Sequence, residues 1–112
     1  MNWIDLNDIQ QLADIKALST IRPQIIFKHS TRCSISTMAK SRLEREEQPA
    51  TADFYYLDLI RYRNISDQVA EDFDVHHESP QVLLISDKAC VYEESHSGIQ
   101  MAEIVEQLEA LN

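Results

Sequence analysis

Two short apolar runs limit what this chain can become. Ile25-Ile26-Phe27 and Val82-Leu83-Leu84-Ile85 carry no alternating polar residue. A strand with one wet face alternates, whereas a strand covered on both faces reads as a continuous apolar run. Pro23 bounds the first run and Pro80 opens the second, and neither position loses a ladder donor inside a strand. The runs predict central strands at residues 24–28 and 81–86, in a sheet with helices on each side.

The segments between them supply those helices. Residues 7–18 read as a helix, with Asn7 as cap, Gln10 as its capping-box partner, and Ile9, Leu12, Ala13 and Lys16 on one face. Residues 33–47 form a second, with Ile35, Met38, Ala39, Arg42 and Leu43 at helical spacing and Pro49 just beyond. Residues 63–73 (Ile65, Val69, Phe73) and 98–111 (Met101, Ile104, Val105, Leu108, Leu111) read as the third and fourth. Residues 54–59 make an aromatic-rich strand. Ser86-Asp87-Lys88 is a tight turn leading into a last strand at 89–93. The predicted order is α-β-α-β-α-β-β-α. Strands separated by helices pair in parallel and the final two form a hairpin. The class is α/β, with a mixed four-stranded sheet and helices on both faces.

At 112 residues, without a repeat or linker, the chain is expected to form one domain over 1–112. Its single glycine excludes a glycine-rich phosphate loop. A net charge of −9 argues against nucleic acid and anionic membrane surfaces as partners. No apolar run approaches the roughly 20 residues of a membrane span. Met1-Asn2-Trp3-Ile4-Asp5 lacks the basic start and apolar stretch of a signal peptide, so the expected compartment is the cytoplasm. Two cysteines in a reducing compartment are seldom a structural disulfide, and they are too few for a thiolate zinc site.

Cys33 falls where the first central strand has ended and a helix begins. Open α/β sheets place their chemistry beyond the carboxyl ends of the strands. A helix N-terminus offers unpaired N–H groups and the positive end of the macrodipole, both of which favour a thiolate. Lys28, His29 and Arg32 are close in sequence. Ser36 occupies the position where dithiol oxidoreductases carry a second, resolving cysteine. Its hydroxyl is expected to hydrogen-bond the Cys33 thiolate, but it cannot form a disulfide. An external thiol must therefore complete the reaction, which makes the chemistry monothiol exchange. Pro80 opens the next central strand, and a cis Ser79–Pro80 bond would present the Ser79 backbone to an extended substrate. Cys90 follows the hairpin at the far end of that strand, roughly 16 Å away at ~3.3 Å per residue. It is expected to be a sheet residue beyond disulfide reach. His76-His77 are weak evidence for a metal. His77 is expected to tune the thiolate or touch substrate, and His96 to lie at a helix start. The paired acids Glu46-Glu47, Glu71-Asp72 and Glu93-Glu94 read as solvated faces.

Strand, polar loop, helix-capping cysteine and strand-opening proline together resemble the thioredoxin fold. Phe27-Lys28-His29-Ser30-Thr31-Arg32-Cys33-Ser34-Ile35-Ser36 resembles the monothiol bacilliredoxin family, bacillithiol-system redox proteins related to glutaredoxins, whose usual motif is Thr-Cys-Pro-Ile-Ser. His77-Glu78-Ser79-Pro80-Gln81 is similar to a second segment of that family. Arg32 and Ser34 depart from the motif, Arg32 adding charge and Ser34 freeing one backbone N–H.

The resemblance implies removal of bacillithiol from S-bacillithiolated cytosolic proteins. Cys33 would be the nucleophile and Ser36 its motif partner, with no tightly bound cofactor or metal and bacillithiol as co-substrate. Lys28, His29, Thr31, Arg32, Ser34, His77, Ser79 and Pro80 form the expected substrate-contact set. The malate carboxylates of bacillithiol would suit Lys28, Arg32 and the helix N-terminus. Expected partners are the modified proteins, the low-molecular-weight thiol and a reductase. Two other classes fit the same cysteine. One is an iron–sulfur cluster binder sharing a cluster across a dimer. The other is an interaction module with an incidental thiol, marked by alkylation only near pH 8.5, as for a free cysteine.

Overall fold

The computed structural model describes residues 1–111. Five strands and four helices alternate: β1 (Ile4–Asp5), α1 (Gln11–Leu18), β2 (Gln24–His29), α2 (Ser34–Glu44), β3 (Asp53–Asp58), α3 (Arg63–Asp72), β4 (Gln81–Ser86), β5 (Ala89–Ser95) and α4 (Met101–Ala110). The sheet runs β1-β3-β2-β4-β5. β1 and β2 are parallel to β3, while β4 is antiparallel to both β2 and β5. The expected mixed sheet is present with one strand more than the four predicted. That strand, β1, is two exposed residues long, too short to produce a hydropathy period, and only its pairing with Tyr55 and Tyr56 defines it.

The two apolar runs lie at the centre of the sheet and are buried on both faces, as their composition requires. Ile25, Phe27, Phe54, Val82 and Leu84 pack with Ala39 and Leu43 of α2 and with Ile104 and Leu108 of α4. Ile26, Tyr55, Leu57, Leu83 and Ile85 pack with Leu12 and Ile15 of α1 and Ile65 and Val69 of α3. The strand period of two thus divides β2 between two cores.

Two helix faces differ from the apolar spacing. In α1 the buried residues are Leu12 and Ile15, and Ile9 is exposed. The first turn is organised by Gln11, whose Oε1 accepts from the Asn7 and Asp8 N–H groups, so the helix starts later than an Asn7 cap would place it. In α2 the buried stripe is Ser36, Ala39 and Leu43, while Ile35 is 50% and Met38 61% exposed. Small residues at 36 and 39 allow α2 to sit close to β2, and that contact outweighs the burial of two larger side chains. The 86–89 hairpin turn has positive φ at Asp87 and Lys88. Ser19 steadies it, accepting the Asp87 N–H on its carbonyl and the Lys88 N–H on Oγ. A short 3-10 turn at His96–Gly98 precedes α4.

Candidate active site

β2 ends at His29, and the chain turns through Ser30-Thr31-Arg32 before α2 starts. Cys33 is the N-cap residue, with φ −114° and ψ 122°. Its N–H donates to the Ser30 carbonyl at 3.2 Å, and its own carbonyl accepts the Thr37 N–H at 3.1 Å. The backbone is therefore held on both sides while the thiol is half-buried and free. The first-turn N–H groups beyond the cap lack helical acceptors and lie beside the sulfur's residue. Thr31, Arg32, Ser34 and Ile35 surround it and are all exposed.

Ser36 is fully buried. Its Oγ accepts the Ser30 N–H at 3.0 Å and lies 2.8 Å from His29 Nδ1. Burial, followed by the Lys40 charge, lowers the basicity of His29. In the neutral ring, Nδ1 and the Ser36 hydroxyl share one hydrogen bond whose direction is set by the tautomer. The hydroxyl is thus spent on His29 and on the loop, not on the thiolate as the motif position suggested. Residue 36 faces the sheet because it lies one turn into a helix packed on β2, and His29 rises from that strand to meet it. His29 is itself enclosed by aromatic rings, Phe27 at 5.8 Å and Tyr56 at 5.5 Å between centroids.

Lys28 requires a correction. Its proximity in sequence suggested a cation in front of Cys33, in contact with substrate carboxylates. Instead it is wholly buried and, by strand alternation, emerges on the α1/α3 face, away from α2. Its Nζ donates to the Ser66 carbonyl at 3.1 Å and to His77 Nδ1 at 3.2 Å.

The register places the second segment at the same end of the sheet. Gln81 pairs with Lys28, so Pro80 precedes β4 next to the end of β2. The Ser79–Pro80 bond is cis. Pro80 is buried, Ser79 half-buried and His77 exposed. A residue that apolar patterning missed organises this loop. Buried Gln81 donates to the His76 carbonyl and to Glu93 Oε2, both at 3.0 Å, and accepts the Glu78 N–H. A glutamine at the entry of an apolar strand was the available signal. Cys90 pairs with Ile85 at the opposite end of β4, beyond reach of Cys33, and burial pushes its thiol pKa up. Among the described residues, no group of three His, Cys, Asp or Glu side chains is arranged to hold a metal ion. No helix among the described residues is long and apolar enough to cross a membrane.

Beside the thiol, α2 exposes Ile35 and Met38. Met38 also lines a groove of about 320 Å³ with Thr37, Ser41, Arg42 and Arg45. Residues 30–45 carry Arg32, Lys40, Arg42 and Arg45 against Glu44 alone, in a chain of net charge −9.

A cysteine caps the helix after a central strand, and a proline opens the adjacent antiparallel strand at the same end of the sheet, an arrangement that belongs to the thioredoxin class of fold. Solved structures agree on the fold. The chain is similar to a thioredoxin-fold protein proposed to be an oxidoreductase, with TM-score 0.80 and 27% identity over 92% of this chain and 90% of that one. It is also similar to thioredoxin from Trypanosoma brucei brucei, with TM-score 0.73 and 10% identity over 98% and 90%. Fasciola hepatica thioredoxin matches with TM-score 0.70 and 14% identity over 96% and 98%. The sequence profile described as monothiol bacilliredoxin BrxC matches residues 4–104, and the chain belongs to that family. It is a thiol oxidoreductase with a single cysteine in its motif.

Proposed function

We propose that the protein removes bacillithiol from S-bacillithiolated cytoplasmic proteins, using bacillithiol as co-substrate and no resident cofactor. The observation that supports this best is the half-buried Cys33 on a helix N-terminus, with Ser36 where an internal resolving thiol would stand. The Cys33 thiolate attacks the bacillithiol sulfur of the mixed disulfide. A new S–S bond forms on Cys33 as the old one breaks, and the protein thiolate leaves with the electron pair and takes a proton from solvent. A second bacillithiol, or a reductase, then attacks the Cys33 adduct and restores the thiol. Ser36 cannot perform this step, and Cys90 lies at the wrong end of β4.

The small thiol is held by the exposed rim: Arg32 for its carboxylates, Thr31 and Ser34 for hydrogen bonds, and the His77–Pro80 loop opposite. His29 and Lys28 act from beneath, by shaping the two loops. Exposed Ile35 and Met38, with the cations along α2, form the footing for the modified protein.

Mass spectrometry tests the reading. Incubation with bacillithiol disulfide is expected to add one bacillithiol to the protein, on Cys33, and a model protein carrying S-bacillithiol should lose it. An adduct that persists in Cys33→Ser, or a preference for glutathione over bacillithiol, would overturn the proposal.

A further inference from the structure

Lysine is almost never fully buried unless it is paired. Lys28 is fully buried, yet none of the salt bridges among the described residues includes it. Its Nζ is bonded to a backbone carbonyl and to an imidazole nitrogen instead. Burial lowers its pKa to about 8, with the Asp67 charge opposing, so near pH 7 it is still an ammonium. An ammonium has only donors. His77 Nδ1 must therefore be the acceptor, and the single ring proton sits on Nε2. His77 resists a second proton for three reasons. They are its burial on this side, the Lys28 charge and the Arg63 charge, with Asp67 and Glu78 opposing.

The groups around this pair come from every neighbouring element. α3 contributes Arg63, Asp67 and the Ser66 carbonyl, the loop contributes Glu78, and uncharged Leu57 of β3 and Gln81 of β4 flank Lys28 in register. Ser66 Oγ is buried without a partner, and Lys28 bonds the Ser66 carbonyl instead. The ring belongs to an irregular stretch, residues 73–80, and is exposed on its other side. Lys28 itself precedes by one residue the end of the strand that leads to Cys33.

We infer that Lys28 is a positioning residue for thiol exchange. It fixes His77 as the Nε2–H tautomer, so that the Pro80 loop presents an oriented N–H donor to an anionic group of the small thiol bound at Cys33. The role in exchange rests on Cys33 being the nucleophile of the proposed function, whereas the tautomer does not. In a substrate-bearing site the pair acts as one unit: Lys28 holds the ring, and the ring touches substrate.

Two measurements test it. Long-range ¹H–¹⁵N spectra of the imidazoles should show His77 as Nε2–H in the parent protein. In Lys28→Met the His77 titration should move to higher pH and the tautomers should mix. The rate of Cys33 attack on bacillithiol disulfide should fall about tenfold in Lys28→Met, as for loss of one hydrogen bond to a charged group. It should fall at least as far in His77→Gln, and Lys28→Met should add no further loss in the double variant. Iodoacetamide alkylation of Cys33 should be unchanged throughout, which a general structural defect would not permit. An Nδ1–H tautomer in the parent overturns the inference, even if Lys28→Met does not fold. So does an unchanged His77 titration in Lys28→Met, or losses that multiply in the double variant. Absence of any Cys33 adduct in the parent would instead sink the proposed function and leave the tautomer result standing.

Discussion

Lys28 and His29 are consecutive, polar and buried, yet they serve opposite faces of the sheet. His29 rises toward α2, where it is neutral, ringed by Phe27 and Tyr56, and bonded to Ser36. Lys28 drops toward α3, where it is charged at neutral pH and bonded to Ser66 and His77. The first pair fastens the loop that carries the thiol, and the second fastens the loop that carries Pro80. A strand has a period of two, so adjacent residues can brace two different loops from one strand end. The two faces differ in cost. A neutral histidine with a hydroxyl partner buries no charge, whereas an ammonium without a carboxylate leaves a desolvation penalty uncovered.

The largest expected effect probes that penalty. The folded chain releases the Lys28 proton near pH 8, and the unfolded chain holds it to 10.5. Between those values the unfolded state binds more protons, so the parent gains stability as pH rises. Lys28→Met lacks this gain. Its stability relative to the parent should therefore fall by about 2 kcal/mol between pH 7 and pH 10, read from urea midpoints. A constant difference across that range would mean that Lys28 is not a buried cation.

The opposite face should respond without such a pH signature. Ser36→Ala leaves His29 Nδ1 and the Ser30 N–H without their partner, at a cost of about 1–3 kcal/mol. That loss should be similar at pH 7 and pH 10, where His29 is neutral in both folded and unfolded chains. A Ser36→Ala protein as stable as the parent would show that the hydroxyl serves the thiol and not the loop.

The smallest effect belongs to the outer side of α2. Met38→Ser should change stability by no more than about 0.5 kcal/mol, because the side chain is already exposed. Its KM for a modified protein should rise roughly threefold, with the rate toward bacillithiol disulfide unchanged, as expected for a peripheral contact. A marked loss of stability would place Met38 in the core after all.

Much of this was legible in the chain. The continuous runs at 25–27 and 82–85 announced doubly covered strands, and β2 and β4 lie at the centre of the sheet. The thiol of Cys33 was identifiable from its place after a strand and before a helix, and Cys90 could be dismissed by counting residues along β4. The differences have separate causes. The expected stripe of Ile35, Met38, Ala39, Arg42 and Leu43 holds at Ala39 and Leu43, but the buried face is turned toward Ser36 and leaves Ile35 and Met38 outside. Hydropathy favours a face that includes Ile35 and Met38. Close packing on β2, together with the bond to His29, selected the face that includes Ser36. β1 was invisible because two residues have no period.

By itself, the order of residues determined the fold class, the single cysteine of the motif and the serine where a second motif thiol would stand. Those depend on periodicity and on which atoms are present. Tertiary structure alone decided what the polar side chains around that cysteine do. Lys28 is separated from His77 by 49 positions and from Ser66 by 38, and Ser36 meets His29 only because α2 folds back on its strand. Hydrogen bonds act over about 3 Å, so their partners are set by which surfaces the fold brings together and not by neighbours along the chain.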